Sequence, residues 1–139
     1  MSEDNTAELE KDFDFGTAIG ASRAARGQKL TVYIPSKTKD NVEFGTQRKW
    51  VLKAFDLLAK IGGGASAVIT EGVWLNSEKG QTVREETVLV YTYCEDADKL
   101  IANCPALKEF LYELGRETEQ GQIFVEFDSE AYVIDDTDY

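Results

Sequence analysis

The chain has 139 residues, a net charge of −11 and 42% apolar side chains, a length that suits one domain with a real core and a composition too apolar for a disordered chain. It contains no histidine, which removes Ser-His-Asp and Cys-His nucleophilic sites, imidazole metal ligands and histidine acid–base chemistry together. Two cysteines, Cys94 and Cys104, are too few for a disulfide scaffold, and without histidine they make no zinc site; each sits among apolar neighbours and reads as a small buried hydrophobe.

The acidity lies at the ends. Residues 1–28 carry a net of −3 and residues 126–139 a net of −6, which leaves −2 for everything between. A nucleic-acid binder shows the opposite sign in a patch, so direct contact with DNA or RNA is not expected. No apolar run approaches the ~18 residues that cross a bilayer. The opening Met1-Ser2-Glu3-Asp4 is acidic where a secretory signal is basic and then apolar, so the expected location is cytoplasmic.

Residues 1–28 read as an acidic, flexible arm. Phe13, Phe15 and Ile19 are too sparse for a packed helix, and a short helix fits only Ala18 to Ala25. Gly16, Gly20 and Gly27 have no strand before them and so do not make a phosphate loop. Residues 1–14 at least are expected to be mobile and dispensable. One α+β domain is expected over residues 29–134, with an acidic tail at 135–139.

The first strand is Leu30-Thr-Val-Tyr-Ile34, stopped by Pro35. A polar connection, Ser36 to Gly45, leads to Thr46 as N-cap of a helix whose apolar side recurs at Trp50, Val51, Ala54, Leu57, Leu58 and Ile61. Gly62-Gly63-Gly64 ends it, glycine being free to adopt the left-handed C-cap. Ala65 to Leu75 is the second strand, with Gly72 as a bulge, and Asn76 to Gly80 is a hairpin connection into the long strand Thr82 to Tyr93. A helical region from Asp96 is interrupted at Pro105 and restarts to carry Leu107, Phe110, Leu111 and Leu114, closing at Gly121. Gln122 to Phe127 is the fourth strand, which Ala131 to Ile134 either extends or accompanies.

That order is β-α-β-β-α-β, a ferredoxin-like sandwich with both helices on one sheet face. The stretch Leu114-Gly-Arg-Glu-Thr-Glu-Gln-Gly-Gln122 before a strand, with Gly72-Val73-Trp74 and Glu85/Glu86, resembles small uncharacterised bacterial α+β proteins. The resemblance spans residues 30–134 and implies a ferredoxin-like fold; it carries no activity with it.

Three surfaces stand out. Glu71, Arg84, Glu85, Glu86, Arg116, Glu117 and Gln120 form a polar cluster in which carboxylates would bind a cation or act as acid and base if they converge, and otherwise make cross-strand ion pairs on the hairpin. Ser36-Lys37-Thr38-Lys39 follows the first strand where ligands often sit, but reads more simply as a solvated loop. The third is the sheet face away from the helices. With Leu30, Val32, Ile34, Val88, Val90, Thr92, Ile123, Val125 and Phe127 inward, Thr31, Tyr33, Leu89, Tyr91, Tyr93 and Phe124 point outward, and Trp74 joins them. So many large side chains on an uncovered face read as a partner surface, unless an arm or tail folds over it.

The expected function is therefore a non-enzymatic binding or regulatory protein. It would act through Tyr33, Trp74, Leu89, Tyr91, Tyr93 and Phe124 on the open face and through the acidic Asp135, Asp136 and Asp138. The partner would be a second copy or another protein, in the concrete version a basic nucleic-acid-handling protein that this chain inhibits. No catalytic set, cofactor or metal is assigned. The alternative is an enzyme or small-ligand binder that uses carboxylates and tyrosines in a pocket on the sheet.

Overall fold

The computed structural model describes residues 12–25 and 27–139, so the expectations for residues 1–11 lie outside it. Its elements are α1 (Phe15–Ala18), β1 (Gln28–Ile34), α2 (Gln47–Gly62), β2 (Ser66–Asn76), β3 (Gln81–Cys94), α3 (Ala97–Glu117), β4 (Gln122–Phe127) and β5 (Glu130–Asp135). The strands form one five-stranded antiparallel sheet in the order β2-β3-β1-β4-β5, so the protein is α+β.

The central strands dictate the layering. Leu30, Val32 and Ile34 on β1 pair with Thr92, Val90 and Val88 on β3, and all six are buried. Their side chains meet Trp50, Val51, Ala54, Leu58 and Ile61 of α2 and Phe110, Leu111 and Leu114 of α3 in one core, with the Trp50 and Phe110 rings 6.1 Å apart. Both long helices therefore cover the same sheet face. Alternation along each strand sends Tyr33, Leu89, Tyr91 and Phe124 to the other face, as the period of two requires.

Several local expectations are corrected. The β2–β3 register runs without a break through Gly72↔Glu85, so Gly72 makes no bulge. Thr46 caps no backbone N–H; its hydroxyl accepts from the Trp50 indole at 3.2 Å instead. Gly63 supplies the expected left-handed C-cap of α2 at φ 86°. Pro105 does not divide α3, which runs unbroken for 21 residues. The carbonyl it frees belongs to Ile101, and Ile101 is exposed, so water can satisfy that oxygen. Cys94 is buried as expected, and burial, followed by Cys104, pushes its thiol up; Cys104 itself is exposed.

β5 returns beside β4 rather than extending it, from Gln122↔Asp135 to Phe127↔Glu130. Its two-residue turn is Asp128-Ser129, both at positive φ (53° and 68°). In the described part of the arm, α1 is a single turn capped by Asp14. Phe13, Phe15 and Ile19 stay exposed, and Arg23 pairs with Glu95 at 3.2 Å between solvated side chains, a contact worth little.

Candidate functional site

The β2–β3 hairpin outruns the rest of the sheet, and its far end meets the loop that follows β1. Asn76 Nδ2 donates to the Lys39 carbonyl at 2.9 Å, and Lys79 pairs with Asp40 at 2.9 Å. The hydrogen bond and charge of Lys79 hold the Asp40 carboxyl below its usual range. Further in, Glu85 Oε2 accepts from the backbone N–H of Ser36 at 3.1 Å and of Lys37 at 2.7 Å. Charged acceptors of this kind are the stronger hydrogen bonds, and Glu85 is only 9% exposed.

The same loop is held from its other side. Gln120 Nε2 donates to the Lys37 carbonyl at 2.8 Å, and the Lys39 N–H donates to the Glu119 carbonyl at 3.0 Å. Glu119 sits at φ 52°, a left-handed position that a non-glycine residue occupies only when its surroundings enforce it. The loop thus bridges the hairpin to the end of α3.

Between these supports lies a cleft of ≈ 900 Å³ on the open face of the sheet, within the usual size of a small-molecule site. Tyr33, Leu89 and Phe124 rise from its floor, with the Tyr33 and Phe124 rings 6.4 Å apart, and Trp74 stands on the hairpin side. Glu71, Glu78, Glu85, Asp135 and Asp136 also line it, against Lys39 as its one lining base. Lys39 is itself drawn to Asp136 at 3.9 Å. Burial, and then the nearby Glu126 carboxylate, raise the Tyr33 phenol, which stays a neutral donor at ordinary pH.

The structure thus gathers Tyr33, Trp74, Leu89, Phe124, Glu71, Glu85, Asp135 and Asp136 around one concavity. It leaves others outside. Tyr91 and Tyr93 meet edge-on at 6.3 Å on a different part of the face, with the Lys29 ammonium 4.3 Å over the Tyr91 ring. Asp138 turns back to accept from the Asp135 N–H at 3.1 Å. Arg116 and Glu117 are exposed on α3 and do not line the cleft.

Glu86 lies directly opposite Glu71 across the β2–β3 pair, and no ion pair among the described residues involves Glu71, Glu85 or Glu86. The expected cross-strand ion pairs on the hairpin do not form; like charges face each other there, at some cost to the hairpin. Lys37 and Ser36 are also more than solvated loop, since their N–H groups seat Glu85. Gln120, named with the polar cluster, stands in the cleft wall, whereas sequence reasoning missed its neighbours Gly121 and Gln122; their position between a helix end and a strand was visible, the contact of Gln120 with the loop after β1 was not.

Neither a family model nor a curated protein matches the chain. Among solved structures it is similar to a phage SAM lyase in complex with S-methyl-5'-thioadenosine, with a TM-score of 0.60 and 18% identity, over 81% of this chain and 92% of that one. The phage SAM lyase in its apo state matches at 0.59 and 18%, over 84% and 94%. The likeness is one of fold. It overturns the expectation of a non-enzymatic regulatory protein that inhibits a basic partner: the architecture is one that carries an enzyme, and the face assigned to protein contact holds a ligand-sized cleft. The pocket-on-the-sheet alternative fits these findings better.

Replacing Glu85 by Ala strands two backbone donors next to a cavity, so unfolding free energy should drop by about 1–3 kcal/mol. Glu85→Gln keeps one acceptor and should lose less. Urea titration of both variants checks the order.

Proposed function

We propose that the chain is an enzyme of ferredoxin-like topology, with β5 added at the sheet edge, that binds a sulfonium nucleoside such as S-adenosylmethionine in the cleft and splits off its methylthioadenosine part. The observation that carries this reading is the pairing of aromatic floor and acidic wall in one concavity. Such a site suits a ligand that is both flat and cationic. Aromatic faces attract onium cations, a lining of five acids against one base gathers positive charge, and Tyr33, Phe124 and Trp74 offer surfaces for a purine. The fold likeness to SAM lyase supports the same ligand class.

The chemistry follows from the charge. The carboxylate of the amino-acid part attacks the carbon bonded to sulfur and closes a lactone, while the carbon–sulfur bond breaks with its electron pair on sulfur, so the sulfonium leaves as a neutral thioether. Positive charge is therefore weaker in the transition state than in the substrate. Carboxylates that touch the sulfonium stabilise the ground state more than the transition state, so Asp135, Asp136 and Glu85 serve capture and orientation. The half-buried aromatic surface around Tyr33 favours the step in which charge disappears.

The part of the open face that carries Tyr91 and Tyr93 supports a second use, self-association. Tyr93 and, on the neighbouring strand β2, Val68 are 48% and 49% exposed on that face, large apolar side chains that a partner would cover. Tyr91→Glu should then lower the sedimentation coefficient while leaving the circular dichroism spectrum intact; a normal spectrum with an unchanged coefficient places the contact elsewhere.

The enzyme reading is tested by incubating the purified chain with S-adenosylmethionine and following S-methyl-5'-thioadenosine by chromatography. Release of the thioether is expected, with kcat/KM lowered about tenfold or more in Trp74→Ala and in Tyr33→Ala. Absence of product, together with no rise in melting temperature on adding either compound, would sink the reading.

A further inference from the structure

Two of the cleft's acids, Asp135 and Asp136, stand at the very end of the sheet, where the strand ladder gives out after Gln122↔Asp135. The Asp136 N–H donates to the Gly121 carbonyl at 3.0 Å, Gln122 Nε2 to Asp135 Oδ1 at 3.0 Å, and the Asp138 N–H to the Asp135 carbonyl at 2.9 Å. The segment's apolar anchor is Tyr139. Its half-buried ring packs against the core cluster and lies 6.1 Å from the Tyr112 ring, and its hydroxyl donates to the Gln120 carbonyl.

A slot in α3 receives that ring. Gly115 is buried within the helix, where glycine is a poorer helix former than alanine. A Cβ at this position would run into the Tyr139 ring, so the missing side chain is what gives the ring its seat. Burial first, and then Asp136, Asp135 and Asp138, push the Tyr139 phenol up to about 12, which keeps it a donor under ordinary conditions.

Gln120 passes this contact on. Its carbonyl accepts from Tyr139, while its side-chain amide donates to the carbonyls of Lys37 and Thr118 at 2.8 and 3.0 Å. The Lys37 N–H in turn donates to Glu85. Three hydrogen bonds, joined through the covalent frames of Gln120 and Lys37, thus run from Tyr139 to the carboxylate on the far wall.

We propose that Tyr139 is a latch: seated over Gly115, it holds Gln120, Gly121, Asp135 and Asp136 as one wall of the cleft and, through Gln120, the loop that cradles Glu85, so its seating sets the affinity of the cleft for a cationic ligand. It acts as a positioning residue. The effect on affinity rests on the ligand reading above, whereas the mechanical coupling stands on the contacts alone.

Two substitutions open the latch from opposite sides. Tyr139→Ala removes the ring. Gly115→Ala blocks its seat with a residue that favours the helix, which separates latch loss from unfolding; Tyr139→Phe keeps the ring and loses the hydroxyl. Hydrogen exchange without ligand should show the amides of Lys37, Lys39 and Asp136 opening about tenfold faster in both alanine variants, while Val32, Val90 and Leu58 stay protected. With S-adenosylmethionine, KM should rise about five- to tenfold with kcat within about twofold, and Tyr139→Phe should fall between.

Unchanged exchange at those amides would overturn the proposal, as would a uniform loss across the core or a fall in kcat at constant KM. If the native chain neither binds nor turns over S-adenosylmethionine, the ligand reading fails. The exchange pattern then decides the latch by itself.

Discussion

The loop between β1 and α2 is pinned by the Glu85 carboxylate, and the cleft exists because of that bond. Ser36 and Lys37 leave the sheet with backbone N–H groups that no strand neighbour satisfies; Glu85, on the hairpin, accepts both. A backbone donor left dry would cost more than the bond itself contributes, so the loop and the hairpin are held at one distance from each other. Gln120 takes up the carbonyl side of the same loop. Three segments far apart in sequence are thereby fixed around one space. That space opens on the sheet face which α2 and α3 leave uncovered.

The charge distribution acquires a different meaning in this geometry. Acids concentrated toward the end of the sequence would steer a basic macromolecule if they dangled in solvent. Here Asp135 and Asp136 stand at the mouth of a concave aromatic surface, and Asp138 is turned back on the chain. Negative potential confined to a cleft concentrates a small cation instead. The absence of histidine is no obstacle to the proposed reaction, because a sulfonium departs as a neutral thioether and needs no proton.

Much of the architecture was legible because β1 and β3 alternate cleanly. Val88, Val90 and Thr92 pointing one way and Leu89, Tyr91 and Tyr93 the other follow from a period of two, and Trp50 to Ile61 from a period near 3.6. That phase alone places Tyr33, Leu89 and Phe124 together. β5 stayed ambiguous because its turn is Asp128-Ser129, whereas glycine or asparagine normally advertises two positive φ angles. Pro105 misled because the cost of a proline depends on whether the carbonyl it frees is solvated, which is a tertiary fact. The site itself depends on side chain-to-backbone bonds 48 to 83 residues apart. Glu85 and Gln120 could be singled out as polar residues, but not as the two clamps on one loop, and Arg116 and Glu117 beside Gln120 gave no sign that they face solvent.

The claim that the open-face cleft is the ligand site is tested most directly by nuclear magnetic resonance titration with S-methyl-5'-thioadenosine, read at the backbone amides. Shifts are expected to concentrate at Tyr33, Trp74, Leu89, Gly121 and Phe124, with Ile101, Cys104 and Lys108 on α3 left unmoved. Saturable shifts centred on α3, or on Tyr91 and Tyr93 with the cleft residues silent, would contradict it.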